Sequence, residues 1–292
     1  MMRNAAGMGE ALDLDDAARL SAEGSFVRLS HGYTHYEVGG PSGLRPVVLV
    51  HGFSVPYFIW DPTFNALTEA GIRTVRYDLY GRGFSDRPNI KYDLALFVAQ
   101  LGQLLDTLGD RNVDLIGLSM GGPITAAFAA AFPEKVRKVV LIDPSGGQPV
   151  SLGGLYKLAA LPGIGDVLFG VLGTEYLLNT LAGDFFDQEL VETFRERYQL
   201  QMKYRGFKRA LLSTVRNKML GSFTAVYAAL GRIGMPVLLI WGRRDMTVPF
   251  GQSQTLLRLM PRVEFFPVPD CGHIPHYERP ELVNPRLIEF LK

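Results

Sequence analysis

The chain has 292 residues, 47% of them hydrophobic and 20% charged, with a formal net charge of +1. That length buries a core as one large domain, or one with an insertion, and the balance excludes disorder and gives no case for nucleic acid or a membrane surface as partner. A lone cysteine, Cys271, excludes an intramolecular disulfide and fits a reducing, cytoplasmic setting; no run of about 18 apolar residues predicts a membrane span.

Residues 1–25 read as a polar, partly helical N-terminal extension. Asp13, Asp15 and Asp16 interrupt it, so it holds no apolar signal-peptide core. Residues 26–29 and 33–38 predict two short strands around a Ser30-His31-Gly32 turn. Pro46-Val47-Val48-Leu49-Val50 is a continuous apolar run, the mark of a central buried strand. It stops at His51-Gly52-Phe53-Ser54, where a glycine-containing loop leaves amides available; Phe53 is assigned one oxyanion-binding amide, and His51 and Gly52 brace the loop.

A helix is predicted over 60–70, a strand over 72–77, and a charged glycine-rich loop over 78–88. Asp78, Arg82 and Asp86 there are read as bracing their own loop rather than as an acid–base cluster, and its glycines do not complete a dinucleotide-binding motif. Residues 94–108 carry apolar side chains at Leu94, Phe97, Leu101, Leu104, Leu105 and Leu108, an amphipathic helical spacing.

Residues 113–118 then predict a buried strand, and the alanine-rich run to Phe132, opened by Pro123, a helix. Between them lies Gly117-Leu118-Ser119-Met120-Gly121-Gly122. A strand turning straight into a helix strains its turn residue, so the flanking positions must be small. The turn lifts the Ser119 hydroxyl into the open at a helix N-terminus, where developing negative charge is favoured. Met120 is assigned the second oxyanion amide, with Gly117, Gly121 and Gly122 as support.

Residues 138–142 form the next predicted strand, ending at Asp143. The alternation implies a mostly parallel sheet with functional groups at its strand ends. It breaks over residues 148–232, where helices are predicted at 152–161, 166–181, 187–204 and 207–230. This block is read as an inserted cap between a first core part, 26–147, and a second, 233–292. Its six basic residues Lys203, Arg205, Lys208, Arg209, Arg216 and Lys218 are either a solvated face or a source of one carboxylate-binding side chain in the pocket.

Strands at 235–241 and 263–268, a helix at 252–260 and a closing helix at 281–291 complete the chain. Asp245 follows the first of these strands and His273 the second. A serine hydroxyl needs a base, and the base an orienting acid. Ser119, Asp245 and His273 supply both in the chain order of the nucleophile-elbow hydrolases. Asp143 is a rival acid, while Cys271 and His276 are read as packing and peripheral.

On these residues, with Asp78-Leu79-Tyr80-Gly81-Arg82-Gly83-Phe84-Ser85, Trp241-Gly242-Arg243-Arg244-Asp245 and Cys271-Gly272-His273, the chain resembles an α/β-hydrolase-fold serine hydrolase with a helical cap. The resemblance covers residues 26–292 and implies a Ser119–His273–Asp245 triad acting through an acyl-enzyme, with no metal and no organic cofactor. It points first to a carboxylesterase acting on small to medium esters. Similar dehalogenases and epoxide hydrolases carry an aspartate nucleophile, where this chain has Ser119. Carbon–carbon hydrolases of ring-cleavage products resemble it in cap layout and at Trp241-Gly242-Arg243, but many place an aromatic residue where this chain has Ile274. Cofactor-free perhydrolysis and a non-catalytic binding protein on the same fold are the remaining alternatives. Oligomeric state is not legible.

Overall fold

A computed structural model describes residues 9–149, 161 and 163–292. The apolar runs become strands β1 (Ser25–Leu29), β2 (Gly32–Gly39), β3 (Val47–Val50), β4 (Thr74–Tyr77), β5 (Val113–Leu118), β6 (Val136–Ile142), β7 (Val237–Gly242) and β8 (Glu264–Val268). Among the described residues they form one sheet in the order β1-β2-β4-β3-β5-β6-β7-β8. Pairs β1–β2 and β2–β4 are antiparallel, and every other pair is parallel. This is the α/β-hydrolase fold, with β5 at the sheet centre.

The parallel strands are buried on both faces, which is why they read as continuous rather than alternating apolar runs. Val47, Leu49, Ile116, Leu118, Val140 and Ile142 enter one apolar layer, whereas Val48, Val50, Leu115, Val139 and Leu141 enter the other. Successive residues of a strand point to opposite faces, so each run feeds both layers.

The helices are α1 (Asp16–Leu20), α2 (Asp61–Glu69), α3 (Leu94–Leu108), α4 (Gly121–Ala131), α5 (Ile164–Thr180), α6 (Val191–Met202), α7 (Phe207–Arg216), α8 (Thr224–Ile233), α9 (Ser253–Leu259), α10 (Pro275–Glu278) and α11 (Pro280–Leu291). Helix α3 starts where the Asp93 carboxylate accepts the Leu96 amide, and it stops at Gly109 with φ 75°, a conformation suited to glycine. Its Gln100 is buried: the side-chain carbonyl accepts the Tyr80 amide and the amide donates to the Asp78 carbonyl. The helix thereby fixes the loop after β4.

Between β6 and β7 the described residues hold helices and no strand of the main sheet. The helix expected over 152–161 lies, up to residue 160, outside the described residues. The helix expected over 207–230 is two: the chain breaks after α7, with Lys218 at φ 62°, and restarts at α8. In α6, Phe194, Tyr198 and Met202, spaced four residues apart, form one buried stripe.

The described part of the N-terminal extension is tied down. Glu10 accepts the Gly206 and Lys208 amides, and Leu12 exchanges backbone hydrogen bonds with Lys203 and Arg205 at 2.9 Å each. Arg19 pairs with Asp86 at 2.8 Å. Among the described residues no helix is long and apolar enough to cross a membrane.

Candidate active site

Strand β5 runs directly into α4, and Ser119 between them holds φ 52°. For a non-glycine residue that left-handed conformation is strained. The turn is held from both sides: the Ser119 amide donates to the Ile142 carbonyl at 2.9 Å, and its carbonyl accepts the Gly122 and Ser145 amides at 2.9 and 3.0 Å. The flanking glycines are required by close approach. A Cβ at Gly117 would lie 2.4 Å from the Gly121 carbonyl oxygen, and one at Gly121 would lie 2.2 Å from that of Val50. A larger side chain at either position pushes the strand and helix apart.

Ser119 and His273 both line a cavity of about 410 Å³. No hydrogen bond closes between them among the described residues; such contacts are often loose until substrate is bound. His273 follows β8, and its Nδ1 lies 2.8 Å from Asp245 Oδ2. The other oxygen of Asp245 accepts the Thr247 and Val248 amides at 2.8 and 2.9 Å. A carboxylate fixed by three donors holds the imidazole with Nδ1–H toward it and the other nitrogen free to take a proton. Burial pulls the His273 pKa down, but the Asp245 carboxylate more than offsets this and leaves it above the ordinary histidine value.

His51 and Gly52 sit where a brace is needed. The Leu79 amide donates to His51 Nε2 at 2.9 Å, so Nδ1 carries the proton and donates to the Gly52 carbonyl at 3.0 Å. Burial lowers the His51 pKa to about 4, so the ring stays neutral. A Cβ on Gly52 would meet that of Ser119 at 3.2 Å. Arg82 Nε donates to the Phe53 carbonyl at 2.7 Å, fixing the peptide that follows Phe53. Met120 stands at the start of α4, where the first amides lack intrahelical acceptors. Gly122 packs against Pro144, 2.5 Å from its hypothetical Cβ. Asp78 is spent on structure: its carboxylate accepts the Phe84 amide of its own loop and the Tyr57 amide, and contacts His35 of β2 at 2.7 Å. Cys271 is buried, and burial pushes its thiol far up, away from reactivity. His276 is buried against Trp60, at 4.3 Å between ring centres.

The basic residues at 203–218 do not reach the cavity. Arg205 pairs with Asp13, Arg216 with Asp166, Lys208 donates to the Gly170 carbonyl, and Arg209 donates to the Pro88 and Arg87 carbonyls. The carboxylate-binding alternative is therefore dropped: among the described residues no lysine or arginine lines the cavity. Its wall combines apolar Val55, Ile59, Leu118, Leu177, Leu181, Leu220 and Ile274 with polar groups such as Ser54, Asn179, Thr180 and Thr247, and its one acidic side chain among the described residues is Asp184. Asp184 Oδ1 accepts the Thr247 hydroxyl at 2.5 Å, and its backbone carbonyl accepts the His273 amide at 2.8 Å. Sequence reading missed Asp184, because an aspartate in an irregular inter-helix segment carries no local signal.

Asp143, at the end of β6, also arrives here. Asp143, Asp245 and His273 each present a polar atom within 4.8 Å of the other two.

A family model described as "Alpha/beta hydrolase family" matches residues 47–286. The chain is 30% identical to a 2-hydroxy-6-oxononadienedioate/2-hydroxy-6-oxononatrienedioate hydrolase of Paraburkholderia phymatum, over 93% of this chain and 96% of that one. It is 27% identical to carboxylesterase YbfK of Bacillus subtilis, over 93% and 88%. Among solved structures it is similar to the meta-cleavage product hydrolase from Pseudomonas fluorescens IP01, with TM-score 0.75, 27% identity, and 92% and 97% of the two chains covered.

Proposed function

The chain belongs to the alpha/beta hydrolase family and is a hydrolase, and from that premise we propose that it cleaves uncharged carboxylic esters of small to medium size through an acyl-enzyme on Ser119. The observation that carries this reading is the wall of the cavity. Ser119 and a His273 oriented by Asp245 open into an apolar space whose acidic side chain is Asp184, with no described cation. A neutral ester fits such a wall, whereas a buried substrate carboxylate needs a cationic partner.

His273 takes the Ser119 proton as the oxygen attacks the ester carbonyl. The amides of Phe53 and Met120 receive the developing oxyanion, each such donor being worth about 3 kcal/mol in comparable sites. His273 then gives its proton to the departing alcohol, and water repeats the sequence to release the acid. Asp245 keeps the imidazole in the required tautomer throughout. Residues 148–232 act as the cap, supplying the far wall through Tyr176, Leu177, Thr180 and Leu181.

A second reading is favoured by the dienedioate hydrolase similarity at 30% identity: hydrolysis of a carbon–carbon bond in a dienone-type ring-cleavage product. One paired assay separates the two. Purified protein is given p-nitrophenyl esters from acetate to dodecanoate and a dienone-type substrate, with Ser119→Ala as control. Serine-dependent ester turnover far above carbon–carbon cleavage is expected; the reverse ratio replaces the ester reading by the second, and full ester turnover by Ser119→Ala removes Ser119 as the nucleophile.

A further inference from the structure

At the end of β6, Asp143 is fully buried and holds φ 41°, a left-handed backbone that is uncommon outside glycine but that aspartate tolerates better than most residues. Its Oδ1 accepts the Gly242 amide at 2.9 Å, and its Oδ2 is buried with no hydrogen-bond partner among the described residues. Asp245, beside it, has three donors for its two oxygens, counting His273. Two carboxylates this close in a site shut off from water do not both ionise, and a proton settles on the less well-solvated one. A charged Oδ2 would lie bare in the interior, whereas a protonated one is a donor aimed at an adjacent carboxylate.

We infer that Asp143 is the proton-bearing partner of Asp245 in a two-carboxylate acid pair, and that it takes over the orientation of His273 when Asp245 is removed. Asp143 is thus a positioning residue acting through Asp245 and His273. The groups facing it agree. Glu278 of α10 lies near, but its oxygens are taken by the Gly272, Phe186 and Asp187 amides. The Cys271 thiol is buried and uncharged. Burial first, then the Asp245 charge, carries the Asp143 carboxyl well above the usual carboxylate range.

The inference rests on the Ser119 reading for its kinetic arm only. The test compares D143N, D245N and the D143N/D245N double variant by kcat/KM against pH, with an infrared spectrum of the wild-type protein alongside. D143N swaps one neutral group for another, so it lowers kcat several-fold without moving the acid limb set by His273. D245N lets Asp143 ionise and keeps turnover at least ~10-fold above the double variant, where losing an orienting acid costs ~10⁴ in comparable triads. The wild-type infrared spectrum shows a carboxylic-acid carbonyl band at neutral pH that is missing in D143N. A D143N acid limb displaced downward by a unit or more overturns the inference, as does a D245N no more active than the double variant. Absence of the carboxylic-acid band overturns it without any variant or turnover being needed. Turnover that survives Ser119→Ala would instead fault the ester mechanism and leave the infrared arm standing.

Discussion

Asp184 is the acidic side chain of the cavity wall among the described residues, so the charge preference of the proposed ester site can be argued from it. Burial raises its carboxyl, while His273 and the Thr247 hydroxyl pull it back. Above that pKa it places a negative charge in the wall that holds the ester. At ~7 Å and an effective dielectric of ~20, a like charge on the substrate costs ~2 kcal/mol, or roughly 30-fold. At about pH 8, kcat/KM for a neutral ester should exceed that for an ester of equal length ending in a carboxylate by about that factor. Asp184→Asn still accepts from Thr247, so it should pull the ratio toward one chiefly by improving the anionic ester. A ratio unchanged in Asp184→Asn would place the discrimination elsewhere in the wall.

Helix α10 is only four residues long, yet its Glu278 ties two otherwise separate segments together. Glu278 Oε1 accepts the Gly272 amide at 3.0 Å, and Oε2 accepts the Phe186 amide at 2.7 Å and the Asp187 amide at 3.4 Å. The loop carrying His273 is thereby clamped to the 184–187 segment, and the His273 amide in turn donates to the Asp184 carbonyl. Glu278→Ala strands the buried Gly272 amide and the part-buried Phe186 and Asp187 amides and should cost about 2–3 kcal/mol in urea unfolding, with a fall in kcat as His273 loses its register. A loss under 0.5 kcal/mol would mean that water or a backbone shift satisfies the amides without Glu278. Elements of this kind mark where sequence reading stops. The strands were legible to within a residue or two because apolar runs such as Val47–Val50 report burial locally. Ser119, Asp245 and His273 were legible because each follows such a run. The break between α7 and α8 was not, since Leu211, Leu212, Val215 and Met219 keep a helical rhythm while Lys218 turns left-handed. The 3₁₀ turn at Tyr57–Trp60 was missed as well. Glu278 meets partners more than 90 residues away at Phe186, and Asp184 meets Thr247 across 63. Contacts of that span leave no trace in local periodicity.

Across the whole molecule, four buried histidines act in two opposed pairs on stability. Burial pulls the His35 pKa down, but its 2.7 Å contact with Asp78 and its hydrogen bond to the Glu23 carbonyl leave it raised; His273 is raised by Asp245. Groups raised in the fold contribute fully below the unfolded histidine value of about 6.5 and lose that contribution as pH climbs through their folded pKa. His51 and His276 have the opposite sign: burial lowers them to about 4 and about 3. They are bound neutral in the fold, so their contribution is present above about pH 6.5 and is lost as pH falls toward those values. Asp78, lowered despite its burial by His35, holds its share until the medium is more acid than an ordinary aspartate requires. Two units below the unfolded value, each neutral histidine removes about 2.5 kcal/mol, so the pair removes about 5 kcal/mol by pH ~4.5, a large fraction of a typical domain's stability. Unfolding free energy measured by urea titration should therefore peak near or just above pH 6.5 and fall steeply on the acid side. His276→Phe, which keeps a ring against Trp60 and carries no titratable group, should recover about half of that acid loss between pH ~6.5 and ~4.5. An acid slope identical in His276→Phe and wild type would show that His276 takes up its proton without unfolding, and would leave His51 and the carboxylates to account for the decline.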